Sequence, residues 1–215
     1  MAETVTGTDA RIAWARLTIG TAVILVLAYT YALGTGGVNP FDFFGYFTNL
    51  TNLLTAILLI TTGLVTLRRP AKPAPLWLRT ARGVAVACML IVGVIYNVVV
   101  PGTGSAPPWV SVTLHIIMPA ITLLDWVCVG DRGVLPWRHS WAVLPYPLLW
   151  LGVVLVRGAT DGWVPYGFLL PAHGAGALAA TCVGLLVSLA VSGAIVWGLS
   201  RFGGVICRAP RDALQ

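Results

Sequence analysis

FFGYFTNLTNLLTAILLITTGLVTLRR, Phe43 to Arg69, is an apolar run that ends on two arginines. A helix needs roughly 17 to 25 mostly apolar residues to cross the hydrocarbon core. Basic residues at one end of such a run mark its cytoplasmic side. The run therefore reads as a membrane span, but its opening is unusual. Thr48, Asn49, Thr51 and Asn52 put four hydroxyl or amide side chains into five residues, where the chain should be turning purely apolar. Polar groups at that depth need a partner or a use.

The rest of the chain has the same character. Of its 215 residues, 58% are hydrophobic and 9% charged, which lies outside the range of soluble globular domains. Six spans are predicted, at Ile12–Leu33, Phe43–Leu67, Gly83–Val100, Trp109–Val129, Trp141–Val156 and Gly174–Leu199. The fifth, with Pro145 and Pro147 near its start, is the shortest. Connections are short and no repeat of helical length is present, so residues 1–215 are read as a single six-helix transmembrane domain of all-α class. Met1 to Ala10 lack a basic leader region, and the first span is expected to remain in the mature protein.

The formal charge of +6 raises the possibility of a nucleic-acid partner, but the placement of the charges excludes it. Arg11 and Arg16 stand at the start of the first span, and Arg68, Arg69, Lys72, Arg79 and Arg82 flank the second connection. Arg132 and Arg138 lie in the fourth connection, and Arg201, Arg208 and Arg211 follow the last span. Arg157 alone is on the other side, so twelve of thirteen basic residues share one face. The positive-inside bias then places both termini in the cytoplasm of a multi-pass protein of the cell (inner) membrane. A single Lys and abundant Ala, Gly and Val fit a bacterial gene of high GC content. Cys88, Cys128, Cys182 and Cys207 form no CxxC pair, and no metal, disulfide or cofactor is expected. A bis-histidine haem is disfavoured because only His115 is well placed inside a span.

This topology gathers the polar residues at one depth. Thr48 and Asn52 fall in the first turns of the second span, Tyr96 and Asn97 in the last turn of the third, and His115 about two turns into the fourth. Thr48, Asn52 and Thr55 recur at i, i+4, i+7; Ser111, His115, Thr122 and Asp125 also share a stripe. Such stripes turn inward from lipid, so a polar pocket is expected in the outer leaflet. Pro119 lacks the N–H that would bond the His115 carbonyl, which predicts a kink at the histidine and a free backbone acceptor. Asp125 lies about 15 Å below His115 at 1.5 Å per residue and is expected to pair with Arg79 or Arg82 instead. Asn49 heads a formal Asn-Leu-Thr sequon inside a span, where glycosylation is not expected. His139 reads as a solvated surface histidine. The long outer connection, Arg157 to His173, carries Arg157, Asp161, Trp163 and Tyr166 and is expected to act as a lid over the pocket.

YFTNLTNLL, LHIIMPAITLLDW and RGATDGWVPYGFL, in that order, resemble the androgen-induced (FAR-17a type) six-helix membrane proteins and their bacterial relatives. The resemblance implies an intramembrane threonine hydrolase that cleaves lipid esters, such as fatty acid esters of hydroxy fatty acids. Carried over by motif, it makes Thr48 the nucleophile and His115 the base. An imidazole that takes the threonine proton turns a poor nucleophile into an acyl acceptor. Asn49, Asn52, Tyr96, Asn97, Arg157, Asp161, Trp163 and Tyr166 are then the expected substrate-binding residues, with Asn52, Asn97 or Arg157 supplying hydrogen bonds to the oxyanion. The substrate is expected to be a lipid entering from the bilayer. Protonation of the imidazole, ordinarily near pH 6.5, is expected to switch the reaction off in acid. The alternative from a different class is a binding or transport protein that holds a solute in the same pocket.

Overall fold

The structure is a computed structural model that describes residues 7–34, 39–68, 74–102 and 105–206. Arg69, Lys72, Thr103, Cys207, Arg208 and Arg211 lie outside the described residues. Six helices are long and apolar enough to cross a membrane: α1 Gly7–Ala32, α2 Phe47–Arg68, α3 Leu76–Val99, α4 Pro108–Cys128, α5 Trp137–Thr160 and α6 Ala175–Leu199. No strand is present among the described residues, and the chain is a multi-pass helical membrane protein.

Several boundaries differ from the sequence expectation, among them the start of the first span, at Gly7, and the end of the fifth, at Thr160; three others have a plain local reason. Residues 43–46 do not belong to α2. Asn39 accepts the Phe41 N–H and caps a separate short helix, Pro40–Phe43, with proline at its first position. The third span starts seven residues earlier than expected, because Pro75 opens a helix in which Arg79 and Arg82 find partners and need not stay outside. The fifth begins as a 3₁₀ segment, Trp137–Val143, and becomes α-helical only from Pro145.

Small residues bring α1 and α2 together. A Cβ on Gly20 would stand 2.7 Å from the Ala56 carbonyl, and one on Gly63 2.8 Å from that of Ala13. In lipid, where apolar side chains gain nothing by leaving the solvent, such close backbone approach drives helix association. On the other side α3 packs against α4 and α6 through Val86, Ala87, Trp126 and Trp197. The outward faces of α3, α5 and α6 remain apolar and exposed, as at Val98, Leu149, Val183 and Val191. Hydrocarbon is the solvent such faces require.

The two ends of the bundle are chemically distinct. At one, Arg16 of α1 and Arg82 of α3 each bridge both Asp125 of α4 and Asp131 just beyond it, with the pairs at 2.5–3.1 Å. Both arginine side chains are under 5% exposed. Arg132, also buried, donates to the carbonyls of Leu199 and Phe202 and satisfies the end of α6. Asp125 thus pairs with Arg82 as expected. Arg79 takes no part and donates to the Arg132 carbonyl; the missing partner is Arg16, which the sequence places in a distant helix. The opposite end carries Thr48 and His115.

Candidate functional site

At this second end the helix termini and the 161–174 connection enclose a cavity of about 540 Å³. Thr48, Asn49, Tyr96, Ser111, His115 and Tyr166 face it. Five of the ten residues expected from sequence are therefore brought together. A larger groove, about 660 Å³, lies toward the arginine end between Thr55, Trp77, Thr80, His139 and Tyr146. Its lining is almost wholly apolar and contains neither Thr48 nor His115, so it does not share the chemistry. His139, expected to be a solvated surface residue, lines that groove half-buried.

Thr48 stands in the first turn of α2, whose leading N–H groups have no partner within the helix. Its own N–H donates to the Tyr166 hydroxyl at 3.4 Å. Tyr166 therefore docks the connection onto the start of α2. Burial pushes the Tyr166 phenol up from its ordinary value, against the opposing bond from Thr48. It stays a protonated donor at neutral pH.

His115 sits in a π-helical turn, Thr113–Ile117, closed by the Met118 N–H on the Thr113 carbonyl. The break expected from Pro119 takes this form. The freed His115 carbonyl accepts from Asn97 Nδ2 at 3.3 Å, so the predicted acceptor is used by a neighbouring helix. Asn97 and Tyr96 lie in a second π turn, Ile95–Val99, on α3. Widened turns of this kind concentrate at functional sites. They let Tyr96 lie flat on the imidazole, with ring centroids 3.5 Å apart and planes 14° from parallel. His115 Nδ1 is 2.9 Å from the Ser111 carbonyl, which only accepts, so the proton is on Nδ1. Nε2 then carries the lone pair, and no described residue bonds it. The Ser111 hydroxyl, 3.3 Å from Nδ1, donates to Tyr96 and completes the brace.

The remaining expected residues serve other ends. Asn52 is fully buried and spans α2 and α4, donating to the carbonyls of Thr48 at 2.9 Å and Leu114 at 3.2 Å. Both its donor hydrogens are used, as are those of Asn97, which reach Gly93 and His115. Arg157 bonds Asp42 and Asp161 and lies 4.2 Å from the centre of the Trp163 ring. The oxyanion donors expected from sequence are thus committed to holding helices and connections together. Asp161 is exposed; its carboxyl is held below the usual range first by the Trp163 N–H and then by Arg157. Trp163 packs edge-on to Tyr46 outside the cavity, and from the same connection Pro165, Tyr166, Gly167 and Phe168 close it. The connection lies against the cavity, but its tip, Asp161 to Trp163, is not the part that faces it. Ser111 was legible only as one member of a helix stripe; its role depends on a turn that sequence periodicity does not encode.

Comparison with known protein families, with curated proteins and with solved structures finds no match.

Proposed function

We propose that the protein is an intramembrane hydrolase of lipid esters, with Thr48 as nucleophile and His115 Nε2 as general base. The observation that carries this reading is one cavity, inside a lipid-facing bundle, that holds a helix-N-terminal threonine and a histidine whose tautomer leaves a basic nitrogen. Thr48 Oγ attacks the ester carbonyl carbon while its proton passes to Nε2. The carbon–oxygen bond to the alcohol breaks, and that oxygen takes the proton and leaves. Water then attacks the acyl-threonine, returning a proton through His115 to Thr48 and releasing the acid. The developing oxyanion is met by the Tyr166 hydroxyl and by the positive end of the α2 dipole, which favours negative charge there.

The resemblance noted above supports fatty acid esters of hydroxy fatty acids as substrates. The basic residues support cytoplasmic termini and a site in the outer leaflet of the cell membrane. The test is hydrolysis of lipid esters by purified protein, with intact mass to detect an acyl adduct on Thr48. Fluorophosphonate should label the wild type and spare Thr48→Ala. Equal labelling of both, with no ester turned over, would return the cavity to the class of solute-binding sites.

A further inference from the structure

Thr48 lines two spaces that differ in kind. The first is the larger cavity that Asn49, Ser111 and His115 also face. The second is a narrow apolar crevice of about 70 Å³ between α3, α5 and α6, walled by Ile91, Ile95, Leu151, Leu185 and Leu189. The two meet at Thr48, Tyr96 and Tyr166. Burial along the crevice is graded: Thr48, Leu151 and Leu189 are buried, while Ile91, Ile95, Leu185 and Leu186 are half-exposed. The next residues outward, Val94 and Val187, are 58% and 56% exposed on the apolar surface. The crevice thus leads from the nucleophile to the bilayer.

Building on the hydrolase reading, we infer that this crevice is the acyl site, and that it selects by the width of the acyl chain near the carbonyl and not by chain length. With about 70 Å³ of room against about 540 Å³ in the neighbouring cavity, the crevice suits a single straight chain beside the carbonyl and has little room for a ring or branch. Past Leu185 and Ile91 the chain lies in hydrocarbon, which sets no limit on length. The alcohol portion occupies the larger cavity, whose Ser111, Tyr96 and Asn49 suit a polar leaving group. In the acylation step the alcohol therefore leaves into the larger cavity, and the acyl-threonine keeps its chain in the crevice.

The test is a series of nitrophenyl esters that share one leaving group: acetyl, octanoyl, palmitoyl, and 2-ethylhexanoyl, which branches beside the carbonyl. Octanoyl and palmitoyl esters should differ by less than about threefold in kcat/KM, and the branched ester should fall at least about tenfold below octanoyl. Leu185→Ala should narrow that gap. Leu185→Trp should depress palmitoyl hydrolysis about tenfold more than acetyl hydrolysis. In Thr48→Ala, a palmitoyl ester bearing a diazirine should cross-link to peptides containing Ile91–Ile95 or Leu185–Leu189. Equal turnover of branched and straight esters, a steep decline with length, or cross-links confined to the groove beside Trp77 and His139 would overturn the inference while leaving the hydrolase standing. No turnover of any ester would overturn both.

Discussion

Thr48 and His115 are useful only as a pair, and the pair has a measurable signature. If the imidazole exists to take the threonine proton, removing either side chain eliminates the same step. Thr48→Ala, His115→Ala and the double variant should then be impaired to about the same extent instead of additively. Thr48→Ser keeps the hydroxyl and should retain activity. Activity should decline in acid as the imidazole protonates and ceases to be a base. Tyr166→Phe removes the donor placed against Thr48 while leaving the ring contacts with Tyr46 and Phe168 in place. A loss of about a hundredfold in kcat is expected, the usual effect of deleting one oxyanion donor. Unchanged kcat in Tyr166→Phe would assign its hydroxyl to docking the connection alone. Thr51, a neighbour in the same polar cluster, has a different use: its hydroxyl bonds Tyr146 at 2.8 Å and ties α2 to α5.

The decisive feature among the elements is the facing pair of π turns on α3 and α4. Each turn adds a residue to its helical circuit, and together they bring Tyr96 onto the His115 ring and Asn97 onto the His115 carbonyl. Pro119 maintains the arrangement by withholding the N–H that would reclaim that carbonyl. Pro119→Ala should therefore tighten α4 toward regular α geometry. Helix stability should hold or rise, since proline inside a helix is unfavourable by about 3 kcal/mol relative to alanine. Catalysis should fall at the same time. The measurement is thermal denaturation in detergent alongside ester hydrolysis; a parallel loss of both would mean that the turn matters only to folding.

For the molecule as a whole, the ring of Arg16, Arg82, Asp125 and Asp131 joins α1, α3 and α4 at the end away from the site. Its charges balance, two against two. Removing one member strands a buried charge, and Arg16→Met should destabilise by about 3–5 kcal/mol, read as a fall in Tm. The ring also sets the response to acid. Burial alone would raise the Asp131 carboxyl, but Arg82 and Arg16 outweigh it and hold the group well below the usual carboxylate range. A depressed native value stabilises the fold above the unfolded carboxylate pKa of about 3.9, and that stabilisation drains away as pH falls from there toward the native value. Wild-type Tm should therefore drop steeply below about pH 4. Asp131→Asn should start lower and show a shallower acid limb; an equally steep limb would place the acid response elsewhere.

How much of this was legible follows from the range of each interaction. Hydropathy is local, so the number and order of the spans could be read from Phe43–Arg69 and its counterparts. The inward turn of Thr48, Asn52 and Thr55 was also legible, because lipid penalises polar groups on the outer face whatever the partner. So was the vacancy at the His115 carbonyl, which follows from Pro119 by covalent structure alone. What the partner would be was not. Asn97 for that carbonyl, Tyr166 for Thr48, Arg16 for Asp125 and the commitment of Arg157 to Asp42 all join residues far apart in sequence. Only the packing of helices decides such pairs, because an amide or guanidinium satisfies any acceptor within reach, and reach is a property of the bundle and not of the chain.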